Sequence, residues 1–144
     1  MAVPLSFWKG SKAMSSQNPS LPSPMQTVET KPFWEASARG ELLYGSCSAC
    51  SEKHYYPRAR CPYCLSDQVA WLAASGRGTI YSYSAVPRGN PPYVSAYVML
   101  EEGVAVFTNI VECDPGALSI GLVVELVFEK SRDGQPVAVF RPAS

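Results

Sequence analysis

Residues 47–64 read CSACSEKHYYPRARCPYC, and their reading decides what kind of molecule this is. Four of the chain's five cysteines fall here, as two C-x-x-C pairs ten residues apart. Each pair forms a tight knuckle whose two sulfurs take one side of a tetrahedron. The intervening SEKHYYPRAR is long enough to form a hairpin that brings the pairs together. Tyr55 and Tyr56 suit strand positions, Pro57 suits a bend, and Pro62 stiffens the second knuckle. The spacing therefore predicts a metal site built by Cys47, Cys50, Cys61 and Cys64. Zinc is the expected metal, and a rubredoxin-like iron centre is its competitor, because iron also accepts four thiolates. A thioredoxin-like redox pair would need one C-x-x-C at a helix start instead. Four thiolates leave no open position for water or substrate, so the metal is read as structural. It stands in for a hydrophobic core in a region too small to build one.

The other candidate reactive groups are few. His54 is the sole histidine and reads as an ordinary hairpin residue. Cys113, in VECDPGAL, has no second histidine to activate it and reads as a structural thiol. Glu101 and Glu102 are adjacent in a turn and read as solvated charges. There is no nucleophile elbow, phosphate loop or dinucleotide fingerprint. A binding or assembly role is the economical reading, and the chain by itself is not expected to be an enzyme.

N-terminal to the cysteines, the first 24 residues contain four prolines and six serines. Residues 1–30 read as a disordered extension, with Phe7-Trp8 as a candidate anchor for a partner subunit. Residues 31–44 read as a short helix, about 32–39, followed by a lead-in strand. Pro32 suits a first helical turn and Gly40 a stop. Phe33 and Trp34 on that helix are further candidate partner anchors. The ribbon is placed at 45–75. From Gly76 the pattern becomes strands and turns: Thr79–Val86, Tyr93–Leu100, Val104–Val111, Val123–Phe128 and Val137–Phe140, with Asp133-Gly134 as a hairpin turn. Val94, Ala96, Val98 and Leu100 form one apolar face; Tyr81, Tyr83 and Ala85 are expected to share another. Five strands without a helical period predict a closed five-stranded Greek-key barrel of OB type over 76–144, with a small sandwich as runner-up. The fold class is mainly β.

Bulk properties exclude some functions. Basic and acidic residues balance, 12 against 12, and the barrel segment is slightly acidic, so bulk charge does not favour nucleic acid. No apolar run approaches the roughly 20 residues of a membrane-spanning helix, and the N-terminus lacks the pattern of a secretory signal. A reducing cytoplasm is the expected compartment, where clustered cysteines bind metal more often than they form disulfides.

The succession of parts is specific: PFWEASARGELL (32–43), CSAC with PRARCPYC, GRGTIYSYS (76–84), PPYVSAYVMLEEG (91–103) and IVECDPGALSIGLVVELVFE (110–129). It resembles, over about residues 31–144, the zinc-ribbon and OB-fold family of acyl-CoA metabolism long catalogued as a domain of unknown function. The resemblance implies a non-catalytic partner of a thiolase, a thiolase-like acyltransferase or aldolase, or a hot-dog-fold hydratase. It also implies a barrel that docks on that enzyme and helps form the channel for a CoA thioester. CoA asks for cations, aromatic faces and an apolar slot, which points to Tyr81, Tyr83, Arg88, Pro92 and Tyr93, with Arg58 and Arg60 beside the ribbon. The sequence departs from the usual knuckle at Ser51 and Leu65, where glycine is convenient because φ is positive. Two other readings compete: a nucleic-acid-binding ribbon and barrel, and a small enzyme using Cys113 or His54.

Overall fold

The computed structural model describes residues 21–88 and 92–143. Thr27 and Thr30 exchange hydrogen bonds between backbone N–H and hydroxyl, 2.8 and 3.2 Å, and that turn feeds helix α1, Lys31–Ala38. The helix stops where expected. Gly40 adopts φ +84°, Gly40 N–H donates to Ser37 O and Glu41 N–H donates to Ala36 O, a complete Schellman ending.

Phe33 and Trp34 do not serve as exposed anchors. Both are buried in the chain's own core, edge to face at 4.9 Å, and Phe33 also meets the Tyr55 and Tyr56 rings. The reason is the helix face. Phe33, Trp34, Ala36 and Ser37 are its buried residues, and they press it between ribbon and barrel.

Strands β1 (Leu43–Cys47), β2 (Lys53–His54) and β3 (Val69–Ala73) form an antiparallel sheet in the order β2-β1-β3. Strands β4 (Arg77–Val86), β5 (Tyr93–Leu100), β6 (Ala105–Ile110), β7 (Val123–Lys130) and β8 (Pro136–Pro142) close into a barrel in the order β4-β5-β6-β8-β7. Every pairing is antiparallel except β6 with β8, which run parallel and meet at Ile110 and Phe140. This is the expected OB-type order, with β7 returning to β4 to remove the edges.

Alternation sets the core. Val94, Ala96, Val98 and Leu100 of β5 face inward with Val106 and Ile110 of β6, Val124 of β7 and Phe140 of β8. The β4 expectation needs correction. A bulge between Ile80 and Ser82 inserts Tyr81 as an extra residue. Tyr81 therefore parts from Tyr83 and lies exposed, while Tyr83 and Ala85 fall opposite the buried Ala96 and Val94. Tyr83 donates its hydroxyl to Leu118 O at 3.0 Å. Gly78 lies where a Cβ would collide with the Met99 carbonyl, so only glycine permits that close strand approach.

Candidate metal centre and the surface around it

The two knuckles are copies of one backbone solution. In the first, Cys47 N–H donates to Glu52 O and Ser51 N–H donates to Cys47 O. In the second, Cys61 N–H donates to Ser66 O and Leu65 N–H donates to Cys61 O, at the same offsets. The residue four after each leading cysteine must swing to positive φ, and Ser51 and Leu65 do so at 64° and 66°. Both knuckles thus form without the glycine that would make this cheap.

They meet face to face. Cys47 Sγ lies 3.7 Å from Cys64 Sγ, Cys50 Sγ lies 3.6 Å from Cys61 Sγ, and all four sulfurs fall within 4.8 Å of one another. A tetrahedron with metal–sulfur bonds of about 2.3 Å has edges of about 3.8 Å, so the set fits a four-thiolate metal without rearrangement. Tyr63 N–H donates to Cys61 Sγ at 3.4 Å. Burial pushes the Cys61 thiol up, but N–H groups of Cys64 and Tyr63 outweigh it and bring the group down to about 7. Cys50 receives help from the Glu52 backbone, yet burial and the neighbouring thiols push it up to about 12. Four sulfurs this close resist sharing four negative charges, and a divalent cation is what lets them do so.

His54 stands outside this set. Its ring covers Gly45, where a Cβ would collide with it, and its Nε2 accepts from Arg58 N–H at 3.3 Å. Burial, then the Arg58 charge, lowers its pKa. Cys113 is buried and donates to Ile110 O at 3.7 Å; burial and Asp114 push its thiol up to about 11, away from the thiolate that a nucleophile needs.

The expected contact residues divide into two places. Arg58 and Arg60 line a groove beside the second knuckle, which none of Tyr81, Tyr83, Arg88, Pro92 and Tyr93 lines. Arg88 and Tyr93 are exposed at the β4–β5 end of the barrel, where Val86 pairs with Tyr93 and Pro92 is half-buried. Phe7 and Trp8 lie outside the described residues.

Sequence reasoning missed two features. Glu102 is not simply solvated. One carboxylate oxygen accepts from Ser75 N–H at 2.7 Å, and its carbonyl accepts from Lys53 Nζ at 2.9 Å, so it ties ribbon to barrel. Tyr97 and Phe107, in register on the outer face of β5 and β6, make an exposed aromatic pair at 5.0 Å. Strict alternation from the buried Val98 and Val106 would have found that pair.

Residues 34–70 match the family model described as ChsH2, rubredoxin-like zinc ribbon domain, and residues 71–129 match ChsH2, C-terminal OB-fold domain. A DUF35 domain-containing scaffold protein of Methanothermobacter thermautotrophicus is 35% identical over 116 residues, covering 76% of this chain and 87% of the relative. The chain belongs to the DUF35 family. A second DUF35 scaffold protein, from Methanocaldococcus jannaschii, is 34% identical over 64% of this chain and 70% of its own length. A probable enoyl-CoA hydratase alpha subunit of Thermomonospora curvata is 35% identical over 77% of this chain, but the match spans only 37% of that longer protein. Among solved structures, a chain of the Ltp2-ChsH2(DUF35) aldolase matches with TM-score 0.73 and 31% identity, covering 85% of this chain and 100% of the other. A DUF35-family protein of Sulfolobus solfataricus shares the fold alone, at TM-score 0.59 and 13% identity. The family resemblance, the ribbon and the barrel are as the sequence implied. No helix among the described residues is long and apolar enough to cross a membrane. Two of these relatives, from Methanothermobacter and Methanocaldococcus, are thus named scaffold proteins rather than enzymes.

Proposed function

We propose that this chain is a zinc-containing scaffold subunit of a thiolase-like acyl-CoA enzyme in the cytoplasm, and that the reaction belongs to its partner. The observation that carries this reading is the match over the whole DUF35 chain of the Ltp2-ChsH2(DUF35) aldolase. The closed four-sulfur centre supports it, because such a site has no position left for substrate. Zinc is the metal we assign, bound by Cys47, Cys50, Cys61 and Cys64, where it would supply cross-linking and charge neutralisation. On this reading the β4–β5 end of the barrel, with Arg88, Pro92 and Tyr93, and the middle of β4, with Tyr81 and Tyr83, face the partner's CoA thioester channel. Phe7 and Trp8 serve as a further anchor.

The test is co-expression and co-purification with a thiolase-like aldolase subunit from the same source, followed by assay of that subunit alone and in complex. A stable complex with raised activity is expected. Absence of a complex, with the thiolase-like subunit fully active alone, overturns the proposal. A hydratase partner is a second reading, favoured by the relative named as an enoyl-CoA hydratase alpha subunit. The same co-purification with a hot-dog-fold hydratase decides between them.

A further inference from the structure

We propose that the groove between residues 21–25 and the second knuckle seats a linear segment of a partner protein, with large apolar side chains flanked by acidic ones. The proposal rests on the scaffold reading and adds the surface and the chemistry of what it grips. The groove encloses about 990 Å³. Phe33 and Trp34 are buried residues of its lining, which also includes Leu21, Met25, Tyr56 and Leu65.

Its rim is unusually apolar for a surface. Met25 is 88% exposed, Leu65 70%, Tyr56 51%, and Tyr63 on the same knuckle 64%. Contiguous exposure of this kind marks interaction sites, and Tyr, Met and Arg are the types enriched at protein interfaces. The patch also exceeds the hollow itself. Asn109 of β6 and Val137 of β8 bound the groove on the barrel side, and Phe107 lies two residues from Asn109 on the same strand face. A segment leaving the groove there meets the exposed Tyr97–Phe107 pair. Small-molecule sites are more enclosed, whereas a peptide can use both hollow and strip.

Charge selects the occupant. Arg58 and Arg60 line the groove, and Arg60 is held at the rim by donating to Leu65 O at 3.1 Å. Glu29, the acid among the lining residues, already accepts from Ala59 N–H at 2.9 Å. The lining residues thus carry two positive charges against one negative. Residues 1–20 of this chain carry Lys9 and Lys12 and no acid, so they match poorly. A second copy would bring the same two arginines. An acidic partner segment is complementary.

The test uses the zinc-loaded full chain and short fluorescent peptides with apolar centres, in two sets flanked by glutamate or by lysine. Anisotropy should show glutamate-flanked peptides binding at least about tenfold tighter, as expected from charge complementarity across a small interface. Arg58→Glu with Arg60→Glu should reverse that preference, and Leu65→Asp should weaken both sets. Metal content and circular dichroism must stay those of the parent; Met25→Asp, on a lining residue away from the cysteines, replaces any variant that loses metal. Equal binding of both sets, or a preference unmoved by charge reversal, overturns the proposal. So does peptide binding that emerges only when residues 1–20 are removed, or a dimer that Leu65→Asp dissociates, because each assigns the groove to this chain itself. The co-purified thiolase-like subunit separates this proposal from the scaffold reading. If it binds the charge-reversed variant normally, the groove assignment falls and the scaffold stands. If it never binds while the peptides behave as expected, the scaffold reading falls and the groove stands.

Discussion

Ser51 and Leu65 hold matching left-handed backbone positions, and each carries a side chain where glycine would be free of strain. A non-glycine residue there costs about 1 kcal/mol or more, against roughly 0.5–1 kcal/mol of extra chain entropy for glycine. Ser51→Gly and Leu65→Gly should therefore leave stability level or raise it by up to about 1 kcal/mol. Thermal melts of the metal-loaded protein check this, and a clear fall in Tm at both sites would refute it. These two residues were legible in advance, because knuckle spacing alone names the place where φ must turn positive. Glu129 was not. It lies on β7 opposite Val137, and an alternating strand gives no sign that its carboxylate is buried with one oxygen unpartnered. Burial, then the Glu112 charge, raises its pKa from 4.5 to about 7. An acid whose folded pKa is raised favours the fold below its unfolded pKa and loses that contribution as pH rises through the folded value. Glu129→Gln should thus gain stability over the parent between pH 4.5 and about 7, with a constant gap above that. A gap that does not change with pH across that window would sink the idea.

At the scale of elements, helix, knuckles and strands followed from capping, spacing and alternation. The bulge in β4 did not, because nothing in TIYSYSAV marks one residue as extra. It is fixed by what β5 and β7 present on either side, which is information the strand itself lacks. Phe33 and Trp34 show the same limit: two aromatics on a short helix read equally well as anchors or as core, and only the packing chose core. The joint between ribbon and barrel was hidden for another reason. Its partners lie far apart in sequence, Lys53 and Ser75 both meeting Glu102. Glu102→Ala should leave the Ser75 N–H without its acceptor and cost about 1–2 kcal/mol. Hydrogen exchange should quicken at Ser75, while Glu102→Gln retains most of the protection. Unchanged exchange in the alanine variant would show that the joint is held elsewhere.

At the scale of the whole molecule, the proposed metal site makes the ribbon depend on its metal, whereas the barrel has a core of its own. Chelation, or Cys61→Ser, should release the metal, unfold the ribbon and abolish partner binding together, while far-UV circular dichroism keeps the barrel's contribution. Acidification should act in the same direction, since protons compete with metal for thiolates. Re-addition of zinc at neutral pH should restore the parent chain but not the serine variant. A metal-free chain that still forms the full complex would disprove the ribbon's role as a gripping surface.

The parallel meeting of β6 and β8 has a further consequence. The seam is short: one registered pair at Ile110 and Phe140, Val111 N–H donating to Phe140 O at 2.8 Å, and the Thr108 hydroxyl donating to Ala138 O at 3.4 Å. Every other barrel joint is a ladder of three or more registered pairs. The barrel should therefore breathe here first, like a sleeve fastened by a single button. Asn109 and Val137, which border the docking groove, stand on the two sides of that fastening. A segment laid across them would act as a clasp, so that occupancy several residues away is felt as quieter motion throughout the sleeve.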